Sequence, residues 1–517
     1  MTNDAIVIGS GFGGAFAALP LVEAGAKVLM LERGDWVPRS SGNWLPEGTL
    51  ELTPFFSSET PYRVLAGGRA STTGMCECVG GPSVFYGGVS FRMRPADFLE
   101  KSEIIGESGA RWPLGYADLE RHYERAEQIL QVTGETGQDP TEPPGFRKYP
   151  RQSAKPTGTA CMVADAGRAL GLRPFLLPLA IHSGNEGGRT GCAACATCDS
   201  FACAVSAKND LATTVLPGLM RKGLELRSNT VAVRLVAEGR RIAAVECVDK
   251  KGGGRLKLRA DTFFLAAGAL ATPHLLLASD LHDLNPAGPM VGRYLTRHCN
   301  GIVFGVFPKL PDRGEHFHKQ YGFHDFYFGH PGITEPRGML GSIQQVQTPP
   351  PALVRTYVPA WTHPIVRLLI PRMTGLLVMA EDQPRMENGV SIDRARTDRF
   401  GMPQLEIRHV HTGRDLAARR ALYGQAGRIL RKAGARLLYS HDIRTFSHAT
   451  GTVRLGDDPR SAPLDPLCRF RGVDNLLVVD ASVMPTSGGV NPSLTIAANA
   501  LRVGAAVARG MLAAVES

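Results

Sequence analysis

No stretch of this 517-residue chain is apolar and uninterrupted for long enough to read as a membrane-spanning helix. The nearest approach, Thr362 to Asp382 (THPIVRLLIPRMTGLLVMAED), is broken by Arg367, Pro371 and Arg372, and it reads as core beside a pocket rather than as a lipid contact. No leader peptide is expected, because the first strand pattern begins within a few residues of Met1, and the compartment expected on that ground is cytoplasmic. Ten cysteines are too few for a scaffold held by disulfides. No basic block is interleaved with aromatics and no nucleic-acid-reading motif occurs, so a nucleic-acid partner is not expected. The net charge of +10 then reads as a solvated surface, with some attraction for an anionic ligand. There is no internal repeat and no long linker.

Glycine is plentiful, at 59 residues, and it is clustered in GSGFGG, AGGRASTTG and VGGPSVFYGG. Such clusters suit close approach of backbone to a ligand. Residues 4–9 (DAIVIG) read as a short apolar strand. Gly9, Gly11 and Gly14 then form G-x-G-x-x-G, a helical pattern follows, and KVLMLERG supplies a second strand ending at Glu32, with Arg33 after it a further cofactor-binding candidate. In this βαβ order Gly9 permits the tight turn, Gly11 leaves room for pyrophosphate at the helix N-terminus, and Gly14 lets helix and strand pack. Glu32 is placed to accept from ribose hydroxyls. The unit predicts a bound dinucleotide but does not separate FAD from NAD.

Two later stretches narrow the choice. Residues 67–98 read GGRASTTGMCECVGGPSVFYGGVSFRMRPADF, and residues 448–504 run from HATGTVRLG to NPSLTIAANALRVG. With the N-terminal unit, with RWPLGYADLERHYERAEQIL (111–130) and with RADTFFLAAGALATPHLLLAS (259–279), they resemble the glucose–methanol–choline (GMC) oxidoreductases. The resemblance implies FAD as cofactor and alcohols as substrates. It implies that Gly80, Gly81, Ser83, Tyr86, Gly87 and Gly88 lie over the flavin and its pyrophosphate. Tyr86 stands where some members carry a flavin-linking His, so a covalent histidyl–flavin bond is not expected there. It further implies cofactor contacts at Val231, Ala267, Gly268, Asp480, Ala481, Asn491 and Pro492. A helix is expected to start near Thr272 or Pro273, with proline in its first turn.

Oxidation of an alcohol needs a base for the hydroxyl proton, and neutral imidazole suits that task near neutral pH. His448 matches the family's catalytic histidine and is assigned the base; Asn491 matches the second polar residue and is expected to hold the substrate oxygen. The structural alternatives are a turn-capping histidine and a helix N-cap before Pro492. His441 is a weaker candidate for substrate contact.

Cys192, Cys195, Cys198 and Cys203 have the spacing C-x2-C-x2-C-x4-C. Such intervals chelate zinc or an iron–sulfur cluster, and relatives carry a comparable patch. Buried thiols or one disulfide framing a loop stand as the other readings. Lys208 and Asp210 read as an ion-paired or capped helix start.

The expected architecture is α/β: a discontinuous Rossmann-like FAD-binding domain (1–110, 222–300 and 440–517) with an α+β substrate domain (111–221 and 301–439). The latter is built on an antiparallel sheet roofing the flavin, with helices on the far side. Asn388-Gly389 reads as the tight turn of a hairpin. The expected activity is dehydrogenation of a small-molecule alcohol, with a dye, quinone, redox protein or O2 as electron acceptor. An oxidase of the same fold is the nearest alternative; a lyase or a non-catalytic flavoprotein is more distant.

Overall fold

The computed structural model describes residues 3–66, 69–184, 188–195, 197–312 and 319–516. The apolar run after Asp4 makes β1 (Asn3–Ile8), whose last four residues are buried. A strand with no polar alternation must be covered on both faces, which is the environment of a parallel sheet. Helix α1 (Phe12–Glu23) covers one face and β2 (Val28–Leu31) returns beside β1 in parallel. The completed sheet has five parallel strands, in the order Leu476–Val478, Ala260–Leu265, Asn3–Ile8, Val28–Leu31, Glu225–Arg227. Its strands come from both ends and the middle of the chain, so the Rossmann-like unit is discontinuous. The C-terminal helix Ser493–Glu516 packs along α1, where a Cβ on Gly504 would lie 2.3 Å from Ala17 O.

The second sheet has six strands, all antiparallel: Leu437–Asp442, Cys299–Val306, Met373–Ala380, Gly341–Gln347, Tyr321–Phe323 and Phe175–Leu176. Period-two alternation divides its faces. Val303, Ile343, Leu376 and Val378 face the helix Gly413–Lys432 and bury a core with Ala418, Leu422 and Ile429. Ile302, Leu377 and Met379 point the other way and pack with Val346 and Ile443. A four-stranded sheet and a three-stranded sheet complete the molecule.

Three expectations change here. The helix after the strand Ala260–Leu265 begins at Gly268, so Pro273 lies inside it rather than in its first turn. Proline lacks the N–H that would bond to Ala269 O. That carbonyl instead accepts the Thr452 hydroxyl at 2.7 Å, which removes the penalty and lets the helix continue. The hairpin Gly389–Thr397/Pro403–Arg408 turns at Asp398–Gly401, where Asp398 Oδ1 accepts from the amides of Phe400 and Met402. Asn388 stands before the first strand, holding Val410 through both ends of its amide. The segment Thr362–Asp382 is core only in its second half: Met373–Ala380 is the buried central strand, whereas helix His363–Leu369 lies at the surface.

Candidate active site

The three glycines of the N-terminal turn differ in what surrounds them. Gly9 adopts φ +106°, and a Cβ there would lie 2.3 Å from Ala266 O. A Cβ on Gly14 would lie 2.0 Å from Gly9 O, so helix and turn touch backbone to backbone. At Gly11 nothing lies within 4 Å, and this residue is the N-cap of α1 with no side chain closing the helix end. The amides of the first turn therefore face an open cradle, the arrangement that receives a pyrophosphate. Gly81 approaches the same place, 3.3 Å from Gly11 Cα if it carried a Cβ.

Glu32 receives three hydrogen bonds, from Ser10 N–H (3.1 Å), Ser10 O–H (2.6 Å) and Gly34 N–H (2.9 Å), while burial raises its pKa. Ser10 Oγ in turn accepts from Gly80 N–H at 2.9 Å. The second glycine loop is thereby tied to the first, and Ser83 extends the tie by accepting from Leu211 N–H (3.1 Å). Arg33 pairs with Glu77 (3.4 Å). Asp480 holds the start of the helix Gly268–Ala278: its carboxylate accepts from Gly268 N–H (3.0 Å) and Thr272 O–H (2.5 Å), and from Ser482 N–H (2.8 Å). Ala267, Gly268 and Ala481 thus meet at one point. Val231 is buried in the three-stranded sheet. Tyr86 packs edge-on to Phe12, and its hydroxyl donates to Asn209 O (3.3 Å). Gly87 lies against Asp199 and Gly88 against Ile181.

His448 is joined to a residue that sequence reasoning did not single out. Its Nδ1 lies 3.1 Å from Nδ1 of His298. His298 Nε2 in turn faces the carbonyl of Gly488 at 2.8 Å and that of Ser487 at 3.2 Å. Carbonyls only accept, so the His298 proton sits on Nε2 and its Nδ1 offers a lone pair. The bond between the rings then requires the proton of His448 to be on Nδ1. His448 Nε2 is left with a free lone pair and no hydrogen bond among the described residues. Burial, together with the neighbouring His298 and Lys319, lowers the His448 pKa to about 3, so the ring is neutral.

Asn491 follows Ser487 and Gly488 on the same loop. Its Oδ1 accepts from Gln344 Nε2 at 2.8 Å rather than from a helix amide. Several buried groups hold this loop. Gly488 N–H donates to Glu381 (2.9 Å), and Gly489 N–H donates to the Tyr327 hydroxyl (3.0 Å), which donates to Asp97 (2.8 Å). Asp382 accepts from Ser487 O–H (3.1 Å), from His298 N–H (3.0 Å) and from Arg297 N–H (2.8 Å). His409 lies behind it with Nε2 3.5 Å from Asp382, and Arg297 Nε donates to Nδ1 of that ring at 3.3 Å. His441, by contrast, is exposed on the edge strand Leu437–Asp442 and is removed from the candidates.

The four clustered cysteines are free thiols. Among the described residues, Asp382, His409 and His411 form the group whose ligand atoms converge within 4.8 Å; no three of the four thiols do. Neither the iron–sulfur nor the zinc expectation gains a chelating set from them. Burial pushes the Cys192 thiol up to about 11 and Cys198 well above its ordinary value, as fits protonated, packed side chains. Lys208 organises this loop by donating to the carbonyls of Tyr86 (2.7 Å), Phe201 (2.8 Å) and Cys198 (2.9 Å). Asp210 pairs with Arg39 at 3.0 Å, not with Lys208.

The N-terminal GMC oxidoreductase family model matches residues 3–300 and the C-terminal one residues 384–500. The chain belongs to the GMC oxidoreductase family. It is an FAD-dependent oxidoreductase, and the glycine cradle fits that cofactor. Relatives of this GMC protein include paromamine 6'-oxidase of Streptomyces fradiae, 33% identical over 98% of this chain and 91% of that protein. The 6'''-hydroxyparomomycin C oxidase of Streptomyces lividus is 32% identical over 99% of this chain and 92% of that protein. Among solved structures, pyridoxine 4-oxidase from Mesorbium loti superposes with a TM-score of 0.67 at 21% identity, covering 97% of this chain and 98% of that one. That likeness concerns the fold.

One prediction concerns acid. Seven described histidines (His122, His274, His298, His324, His409, His411 and His448) have pKa values lowered first of all by burial. The unfolded chain then binds more protons as pH falls below the ordinary 6.5, so their share of stability is present above 6.5 and is lost as pH drops toward about 4. Seven carboxyls act in the opposite sense: Glu381, raised to about 7, Asp415, raised to about 6, and Glu32, Glu127, Glu142, Asp210 and Asp480, each raised first of all by burial. The histidine share is read by difference: between pH 6.5 and about 4 the Tm of His274→Gln is expected to fall less than that of the wild type, and parallel profiles contradict the burial of a neutral imidazole at that position.

Proposed function

We propose that this GMC oxidoreductase oxidises a CH–OH group of a polyhydroxylated ring substrate to a carbonyl and passes the electrons to an external acceptor. The observation that carries the chemistry is the His298–His448 pair. With Nδ1–H of His448 committed to His298, Nε2 is the atom that takes the hydroxyl proton. The Asn491 amide N–H is free to hold the same oxygen, because its carbonyl is already engaged by Gln344. FAD supplies the hydride acceptor at N5. His448 stays neutral down to acidic pH, so it is ready to accept a proton over the whole neutral range.

The substrate class rests on the roof of the site. Asn300, Ser342 and Gln344 lie on the same sheet face, as the registers Asn300↔Met379↔Ser342 and Ile302↔Leu377↔Gln344 require. Each is buried, and each keeps a polar atom without a partner: Asn300 Oδ1, Ser342 Oγ and Gln344 Oε1. An unpaired buried polar atom costs about 1–3 kcal/mol, so three of them on one face call for a ligand with several hydroxyls. The two Streptomyces relatives are named for aminoglycoside substrates, which are hydroxyl-rich rings. Their names also favour a second reading, in which O2 is the acceptor. The expected compartment is the cytoplasm.

Anaerobic mixing of the holoenzyme with a panel of alcohols tests the first reading: cyclitols and glycosides are expected to bleach the flavin faster than simple aliphatic alcohols. Bleaching by none of them contradicts it. With an active substrate, peroxide yield against dye reduction separates oxidase from dehydrogenase.

A further inference from the structure

The crossover between the strands Gly341–Gln347 and Met373–Ala380 leaves a large apolar surface in water. It contains the helices Pro351–Thr356 and His363–Leu369. Trp361 is 77% exposed, with Tyr357, Leu368 and Ile365 each more than half exposed. Arg355, Arg367 and Arg372 stand among them, also exposed, and none makes an ion pair among the described residues. Residues 336–380 contain neither Asp nor Glu. At the margin, Glu51 accepts from the Tyr357 hydroxyl at 3.5 Å. Exposed apolar patches of this kind are uncommon unless something covers them.

We propose that this crossover docks the enzyme on the surface of an anionic lipid bilayer. Three features select that occupant. Trp and Tyr rings with flanking Ile and Leu match the interfacial layer of a bilayer. Unpaired arginines in an acid-free segment match anionic headgroups. A two-fold contact with a second copy would set the same arginines against each other, which disfavours that partner. No helix among the described residues is long and apolar enough to cross a membrane, so the segment lies on the surface. The crossover leaves its strand three residues after Gln344, the partner of Asn491, so docking brings lipid close to the substrate roof.

The test is flotation of the full-length holoenzyme with vesicles of phosphatidylcholine alone or of phosphatidylcholine with phosphatidylglycerol. Binding is expected to the second kind, with release by salt and a blue shift of tryptophan emission. Each arginine near the surface is worth about fivefold in partitioning, so changing Arg355, Arg367 and Arg372 together to Gln lowers it on the order of 100-fold. Trp361→Ser combined with Ile365→Ser removes the blue shift while turnover of a soluble alcohol stays unchanged. Failure of the wild-type enzyme to float with either vesicle overturns the proposal, as does binding that persists without the arginines. A dimer in sedimentation velocity that Trp361→Ser dissolves assigns the face to a second copy instead.

Discussion

His448→Ala is expected to leave a yellow, folded protein whose flavin is reduced by substrate about 10²–10⁴ times more slowly, the usual contribution of a positioned general base. The loss belongs in kcat, because the ring meets the proton only as the bond breaks. His298→Ala is the companion experiment. His298 is buried behind His448, and its expected role is to fix where the His448 proton sits. Without it the imidazole turns freely between tautomers and loses its tie to Gly488. A smaller fall in kcat is expected, with KM nearly unchanged and partial recovery in His298→Gln, whose amide presents both an acceptor and a donor. Rapid-mixing reduction under anaerobic conditions measures all three variants. Undiminished reduction in His448→Ala removes the residue from the base role.

The second large effect is expected at the glycine turn. In Gly14→Val the new Cβ would lie 2.0 Å from Gly9 O and 3.1 Å from Val7 Cγ1. The first obstacle is backbone, so no side-chain rotation relieves it, and α1 must move away from the turn. Ordinary overpacking costs about 1–3 kcal/mol, and a clash with main chain lies at or above the upper end. The purified variant is expected to carry no flavin and to melt well below the wild type. Gly11→Ala separates the two roles. The backbone at Gly11 is compatible with alanine at φ −69°, and nothing stands within 4 Å of the added methyl. Apo stability should therefore be unchanged while FAD retention falls. Flavin absorbance per protein and the apo melting temperature measure both. Full flavin occupancy in Gly11→Ala would place the pyrophosphate elsewhere.

Features that rest on contiguous residues were legible before the fold was known. The βαβ order and the places of Gly9, Gly11 and Gly14 in it follow from short-range patterns of apolar residues and glycines, and the discontinuous parallel sheet was implied by the family resemblance. The hairpin was placed at the wrong turn because Asn388-Gly389 has the stronger local turn chemistry. Asp398 wins by accepting two amides across the true turn, and the Asn388 side chain is drawn off to Val410. Pro273 misled for a similar reason: the hydroxyl that rescues the interrupted helix comes from Thr452, far away in sequence.

The sequence alone determined the family and the cofactor and made His448 and Asn491 candidates, because a motif keeps its chemistry in the order of neighbouring residues. Only the tertiary structure decided which nitrogen of His448 is free. That depends on His298, 150 residues away, and on a carbonyl of Gly488, 190 residues from His298. The same holds for the cysteines, whose spacing allows a chelate that their side-chain positions do not form, and for the segment around Trp361, whose apolar composition suits core or surface equally. Spacing along a chain fixes which groups are available. Protonation, chelation and exposure depend on what stands opposite each group across space.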